Sequence, residues 1–510
     1  MTQRIAVVLA IALTLALAGV ASAQTKDDTI VYALQSDMQN WDPPNSVLRE
    51  SIILGYHVFD HLAARDLKTG KVGPGLATSW KALDDTTWEV KLRQGVKFHD
   101  GTPFTAADVK ASFDRVLDEK NKLTARGNHA KIKSVETMDP HTVRFKTDGP
   151  YPLFVERLTA QVMQSEKVIR EKGHEWMQEN PIGTGPYKLV RWNKKQEHFL
   201  QRNDDYWGPK PAFKYVRIRI IPEQATQIAE LVSGGVDIIK AVPPDQMDVI
   251  NKSGQARTVT SPILRTAMIQ LDQAGRSGPN PMTDKRVRQA VNLATDIDGI
   301  IKHVLNGLAD RTATTVNPMA FGFDPSVKAY KQDLAQAKKL LAEAGYPNGL
   351  EVGFMRTQPI VEPGLIQTSD AIVADLAKAG VRVKARMVGE SGPFTNLVRD
   401  SKPDPMFEWS WGYYSIFDAD AIFYDVMTCN QPYSYYCNKA FDDLVFQGRS
   451  TLDTKKRAEI YAKAQRMIHD DAAYLFKWGL RGVWGVSNRV DYEAPRDEVD
   501  RMWVVTPRKK

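Results

Sequence analysis

Helical and strand periodicities alternate along almost the whole chain. That alternation most constrains the fold: it specifies α/β units whose strands assemble into shared sheets. One helix start is unusually readable, in Phe104-Thr105-Ala106-Ala107-Asp108-Val109. Thr105 is placed to cap the amide of Asp108, and the Asp108 carboxylate to reach back to the Thr105 amide. Phe104 and Val109 form a staple across the cap, and Val109, Phe113, Val116 and Leu117 continue one apolar face. A second helix is expected from about Gln224 to Ser233, stopping at Gly234-Gly235 before the strand-like Val236-Asp237-Ile238-Ile239. A third starts near Thr283, with Val287, Ala290, Val291 and Ala294 on one face. A fourth sets Leu334, Ala337, Leu340, Leu341 and Ala344 inward and ends at Gly345, a position suited to a left-handed cap. Asp370 to Lys378 ends at Gly380 and feeds the alternating strand Val381-Arg382-Val383-Lys384. At roughly 100–200 residues per domain, 510 residues predict about three structural units.

Composition excludes several classes. Apolar residues make up 43% and the formal charge is +7, so a disordered chain is ruled out. With 33 Gly, 28 Pro and two Cys, so are collagenous and disulfide-dense scaffolds. The positive surplus forms no Lys/Arg block, which argues against a nucleic-acid partner. Arg4 precedes the apolar run from Ile5 to Ala18, and Ala21-Ser22-Ala23 closes it with a small-x-small cleavage pattern. Residues 1–23 therefore read as a secretory signal peptide, the apolar run being shorter than the ~20 residues a membrane span needs. No Cys follows the cleavage motif, so a soluble, exported protein is expected, in a periplasm rather than lipid-anchored at a cell surface.

Catalytic and metal motifs fail. There is no Gly-x-x-x-x-Gly-Lys-Ser/Thr loop and no Gly-x-Ser-x-Gly elbow. Gly183-Thr184-Gly185-Pro186 reads as a structural turn, because Pro186 removes an amide donor. His57 and His61 lack the Glu of a His-Glu-x-x-His site, and Val58-Phe59 between them look like core. Asp84-Asp85 and His99-Asp100-Gly101 carry turn chemistry. No cofactor, metal or catalytic group is expected.

Pro74-Gly75-Leu76-Ala77-Thr78-Ser79-Trp80 and the stretch Thr87-Trp88-Glu89-Val90-Lys91-Leu92 through Gly95-Val96-Lys97-Phe98-His99-Asp100-Gly101-Thr102-Pro103-Phe104 are distinctive. They resemble the peptide/nickel/opine-type (family 5) extracellular solute-binding proteins of ABC importers. The resemblance continues through Gly183-Thr184-Gly185-Pro186-Tyr187, Arg202-Asn203-Asp204-Asp205-Tyr206-Trp207-Gly208 and Val287-Arg288-Gln289-Ala290. It implies an α/β, two-lobed periplasmic binding protein fold (type II, class C) with an extra subdomain on lobe one. Lobe one would comprise 24–265 plus 480–510, the inserted subdomain 55–178 and lobe two 266–479. Hinge crossings are then expected near Ser261–Leu271 and Lys477–Val483. The implied function is capture of a peptide or similarly sized polar solute by a monomer that delivers it to ABC permease subunits. The alternatives are a non-peptide solute (sugar, opine or sugar–amino-acid conjugate), taken up or presented to a sensor, and, remotely, a secreted hydrolase.

Between Phe407 and Tyr436, 11 of 30 positions are aromatic, against 9% for the chain. Flat rings with few rotors suit a solute pocket and equally a core. Trp409, Trp411, Tyr413 and Tyr414 are the candidate ligand residues of this segment, and Trp409 and Trp411 share strand parity. In peptide-binding relatives the segment resembles Trp-x-Ala-Asp-Tyr-Pro-Asp-Pro-Asp-Asn-Phe, whose first Asp pairs with the peptide amine. Aligning Asp418-Ala419-Asp420 with its end puts Ser415 at that position. Ser cannot neutralise a buried ammonium; Asp418 or Asp420 substitutes if the loop shifts, or else the two cap the loop. Asp37 and Met38, in the Ser36–Asn40 segment, would border the cleft from lobe one. Relatives carry a cysteine pair comparable to Cys429 and Cys437, and the expected oxidising compartment favours a disulfide over two free thiols.

Overall fold

The structure, a computed structural model, describes residues 26–46, 48–66, 69–357, 362, 364–389, 391–412 and 416–509. Residues 1–23, with the expected signal peptide, lie outside this set.

One mixed sheet organises the molecule. Its strands run in the order Val381–Val388, Leu350–Thr357, Met406–Trp411, Ala256–Leu271, Tyr474–Ser487, Ile238–Lys240, Thr29–Leu34, Tyr215–Ile220, Glu197–Arg202 and Tyr187–Asn193. Ala309–Arg311 pairs alongside Tyr474–Ser487. The two central strands, of 16 and 14 residues, run antiparallel and serve both ends of the sheet. Thr29–Leu34 and Ile238–Lys240 flank them on one side and Met406–Trp411 on the other. Their register shifts between Pro262 and Thr266, opposite Arg481 and Gly479. Proline has no N–H for the ladder there, so the pairing loosens where the chain passes between the two ends.

A separate four-stranded antiparallel sheet is made by Ala77–Asp84, Thr87–Leu92, Thr142–Thr147 and Ile132–Asp139. The helix Ala106–Leu117 lies against it, started by the Thr105–Asp108 capping box, in which the Thr105 amide donates to Asp108 Oδ2 at 2.8 Å. Phe104, Val109, Phe113 and Val116 are buried. Gly183 and Gly185 press on the Val58 carbonyl so closely that a Cβ at either would collide with it. That is the structural turn expected from the sequence.

The remaining helices fall close to their expected places. Gln224–Val232 is followed by Gly234 at φ 79°. Lys285–Ala294 is capped by Asp284, and Leu334–Glu343 is followed by Gly345 at φ 94°. Leu365–Lys378 begins five residues before the expected start, because Thr368 and Ser369 are buried where the sequence pattern reads polar. The strand after Gly234-Gly235 starts at Ile238 rather than Val236. Asp237 instead spends its carboxylate on the Val31 amide and on Arg489.

Candidate functional site

Strand alternation sets Trp409 and Trp411 on one side of Met406–Trp411, with their rings stacked at 6.3 Å. Tyr433 closes on them at 5.5 and 6.2 Å, and Phe394 stacks on Trp409 at 6.4 Å. Tyr433 is positioned by the loop that the Cys429–Cys437 disulfide closes. Arg276 holds that loop by donating to the carbonyls of Gln431 and Ser434. The indole Nε1 of Trp411 donates to the Ala421 carbonyl at 2.7 Å, which fixes its ring. The Nε1 of Trp409, equally sequestered, has no partner. A buried donor left unpaired costs on the order of 1–3 kcal/mol, so this apolar wall presents one unmet demand for an acceptor.

The carboxylates after the wall divide by use. Asp418 is held by Arg457 through two bonds, at 2.6 and 2.8 Å. Asp420 accepts from Arg449 at 2.8 Å and from the Tyr461 hydroxyl at 3.1 Å. Both anchor their loop to the helices Lys439–Ser450 and Thr454–Asp470. Asp425 has no such anchor: its Oδ2 is buried without a partner. Burial pushes its carboxyl up to about 6, against the opposing pull of Arg157.

Behind the same strand, Glu408 accepts from Ser369 at 2.6 Å and from Lys477 at 2.9 Å. Lys477, fully buried on the second central strand, also pairs with Glu362 at 2.8 Å. Burial alone would push the Lys477 ammonium down, but the two glutamates hold it above its usual value. Beside this triad, Glu498 binds Arg265 at 2.7 Å and Arg49 at 3.1 Å. Arg265 continues to Ser410 Oγ, and Arg49 to the Gly412 carbonyl. Glu498 takes a left-handed φ of 62° to reach both guanidiniums. Such a conformation costs about 1 kcal/mol or more and persists only where the surroundings enforce it. Burial pushes this carboxyl up, yet Arg265 and Arg49 bring it below the ordinary glutamate range.

Tyr413, Tyr414 and Ser415 lie outside the described residues. Trp409 and Trp411 are brought together, and Asp418 and Asp420 follow on the same segment. Asp37 lies elsewhere, accepting from His198 Nε2 at 2.6 Å, the Lys195 amide at 2.7 Å and Trp192 Nε1 at 3.1 Å. Burial opposes the charge of Asp37, but these donors hold it below the usual carboxylate range. Met38 is buried in the core around Trp41. Sequence reasoning missed Phe394 as a ring partner, and missed Arg65, whose guanidinium lies 4.4 Å over the Phe417 ring. It also missed Arg265, Glu498 and Lys477. No local pattern marks these, since each acquires its role from partners far away in the chain. His57 binds the Ile53 carbonyl through Nδ1 and the Met502 amide through Nε2, so neither nitrogen is available to a metal. Among the described residues no His/Cys/Asp/Glu group suits a metal ion, and no helix is long and apolar enough to cross a membrane.

Residues 71–434 match the model of the bacterial extracellular solute-binding proteins, family 5. The dipeptide-binding protein of Escherichia coli K12 is 27% identical over 520 residues, which cover 96% of this chain and 94% of that protein. The glutathione-binding protein GsiB of the same strain is 28% identical over 491 residues, covering 91% of each. Among solved structures, the periplasmic binding protein DppA from Helicobacter pylori, in complex with the peptide STSA, superposes with a TM-score of 0.83 at 28% identity. That likeness covers 94% of this chain and 98% of DppA. The two-lobed α/β architecture of these proteins is that of this chain.

Proposed function

The chain belongs to the bacterial extracellular solute-binding proteins, family 5, and from that premise we propose that it is the periplasmic receptor of an ABC importer, capturing a peptide for delivery to the membrane permease. The relatives above are named for binding a dipeptide and glutathione, and the solved relative holds a tetrapeptide. The observation that carries the reading to this chain is the wall of Trp409, Trp411 and Tyr433. Its rings are flat, stacked and largely buried, with one indole donor unmet, which suits a chain of alternating side chains and carbonyls enclosed by closure of the lobes. In this reading Tyr413, Tyr414 and Ser415, assigned from the sequence alone, also belong to the solute site, and Asp37 and Met38 stiffen the lobe that meets it. Asp418 and Asp420 support the site from behind.

The lobes divide near 265 and 480, at the loosened register of the two central strands, and 55–178 is an appendage of lobe one. Capture is hinge closure: solute shifts an open–closed equilibrium by its preference for the closed form. The protein acts as a monomer, binds without turning over its solute, and reaches the periplasm by a signal peptide cleaved after Ala23. The test is native mass spectrometry of protein purified from its host, followed by thermal shift against peptide, sugar and opine libraries. A co-purified peptide, or a shift confined to peptides and rising with concentration by mass action, is expected. Shifts only with sugars or opines, or no bound solute and no shift at all, would overturn the reading.

A further inference from the structure

In the proposed division the inserted subdomain touches lobe two directly. Phe417 of lobe two, half-buried, packs against Arg65 of the subdomain, whose guanidinium carbon is 4.4 Å from the ring centroid. Arg65 ends the strand Ala63–Arg65, which pairs antiparallel with Val72–Pro74. Gly70, between the two strands, meets the same ring: a Cβ built there would lie 2.9 Å from Phe417 Cε1. Its φ of 71° also favours glycine. Both sides of the contact are fixed independently of it. Arg65, 9% exposed, donates Nη1 to the Gly70 carbonyl and Nη2 to Glu156 Oε2, each at 2.5 Å. The Ala63 amide donates to the Leu158 carbonyl, and the amides of Gly75 and Ala77 to that of Leu62, which ties the strand pair to its subdomain. On the other side the Phe417 carbonyl accepts from the Phe321 amide at 2.9 Å, and Asp418 is held by Arg457. Around the contact one apolar cluster runs from Leu62, Phe154 and Leu158 of the subdomain to Trp411 and Phe423 of lobe two.

The chemistry of this contact suits repeated making and breaking. Arg65 spends its hydrogen bonds on Gly70 and Glu156 within the subdomain, and Phe417 contributes only a ring face. Parting the two therefore leaves no buried donor or acceptor unmet, whereas breaking a buried ion pair between lobes would. Joining them gains a cation–π attraction that strengthens as water is expelled. We propose that Arg65, Gly70 and Phe417 form a latch between the inserted subdomain and lobe two. They are positioning residues: they hold the closed form and set how long a captured solute stays. This inference rests on the receptor reading and gives the inserted subdomain a part in capture.

The probes are the dipeptide Ala-Phe, glutathione and the tetrapeptide Ser-Thr-Ser-Ala. Dissociation of whichever binds most tightly is timed by stopped flow on the full protein and on R65M, R65K, F417L and R65M/F417L. R65M and F417L should each speed dissociation by about 10-fold, equivalent to ~1.4 kcal/mol, with association changed by less than about 2-fold. The double variant should dissociate no faster than the faster single, because both substitutions remove one contact. R65K keeps the cation and should fall between wild type and R65M. If R65M does not fold, G70A replaces it: its added Cβ should speed dissociation about 10-fold in the wild-type background and leave it unchanged in F417A, where no ring is left to strike. Additive effects in the cycle would make Phe417 a contact of the solute and Arg65 a support of its own subdomain, and would overturn the latch. Dissociation unchanged in R65M, or in G70A where it stands in, overturns it too. Each of these results leaves the receptor standing, whereas a wild type that binds none of the three probes overturns both.

Discussion

Trp409 and Trp411 stand on the same face of one strand yet differ in a single bond: the Trp411 indole is spent on the Ala421 carbonyl and the Trp409 indole on nothing. Their substitutions should therefore separate area from hydrogen bonding. Trp411→Ala removes a ring flanked by Trp409 and Tyr433, and should weaken solute binding by about 2 kcal/mol or more, as for a buried aromatic anchor. Trp409→Phe keeps most of the area and removes the free donor, so its loss should be nearer 1 kcal/mol, the net worth of one hydrogen bond. Calorimetry with the best-binding peptide checks both; a larger loss for W409F than for W411A would place the dominant contact on the indole nitrogen. At this scale the sequence was partly legible. The aromatic density of 407–436 and the parity of the two tryptophans could be read from spacing. Which aspartate is free could not be, because Arg449 and Arg457 lie 29 and 39 residues from the carboxylates they engage.

The elements that carry the wall are held by non-local ties. The segment from Asp418 to Cys437 contains only short helical turns and no strand, so its shape depends on two Asp–Arg pairs, the Arg276 bonds to its carbonyls and one disulfide. Arg457→Met leaves Asp418 buried without its counter-charge and should cost about 3–5 kcal/mol, read by urea denaturation. A loss below 1 kcal/mol would mean the loop re-forms without the pair. Cys429 and Cys437, eight positions apart, close a short loop, so replacing both by Ser should cost roughly 2–3 kcal/mol by chain entropy. It should also weaken solute binding through Tyr433, and calorimetry on the double variant tests that second effect. Elements with a local cause, such as the Thr105–Asp108 box and the glycine stops at 234, 345 and 380, were read close to their true ends. The start at Leu365 was missed because Thr368 and Ser369 are polar residues buried by partners elsewhere, Ser369 by Glu408.

Across the whole molecule, Glu498 ties Arg49, near the start of the described chain, to Arg265 on the first central strand, and through them reaches Ser410 and Gly412. Glu498→Gln would strip the counter-charge from Arg49 and Arg265, whose bonds to Gly412 and Ser410 cross between the lobes in the proposed division, and should loosen that crossing. A larger radius of gyration without solute, by small-angle scattering, and at least 10-fold weaker binding are expected; an unchanged radius would show that the clasp does not set lobe orientation. Acid should act more broadly. Burial lowers His57 and His99 to about 4 and His61 and His129 to about 3, whereas an unfolded histidine titrates near ~6.5. The unfolded chain thus binds more protons than the native one below about pH 6.5, and stability falls as pH drops from there towards 4. Asp425 acts with the opposite sign. Its carboxyl, raised to about 6, protonates in the native state before the unfolded one does at ~3.9, so it adds stability as pH falls from about 6 to 4. Burial raises Asp60, Asp108, Glu362, Asp418 and Asp442 as well, so Asp425 is one of several buried carboxyls that oppose the four histidines. The melting temperature should fall between pH 7 and 4.5, where the four histidines begin to charge in the unfolded chain alone, as scanning calorimetry will record, and D425N should steepen the fall by removing one opposing carboxyl. A flat profile, or a shallower one in D425N, would contradict this account of which buried groups carry protons.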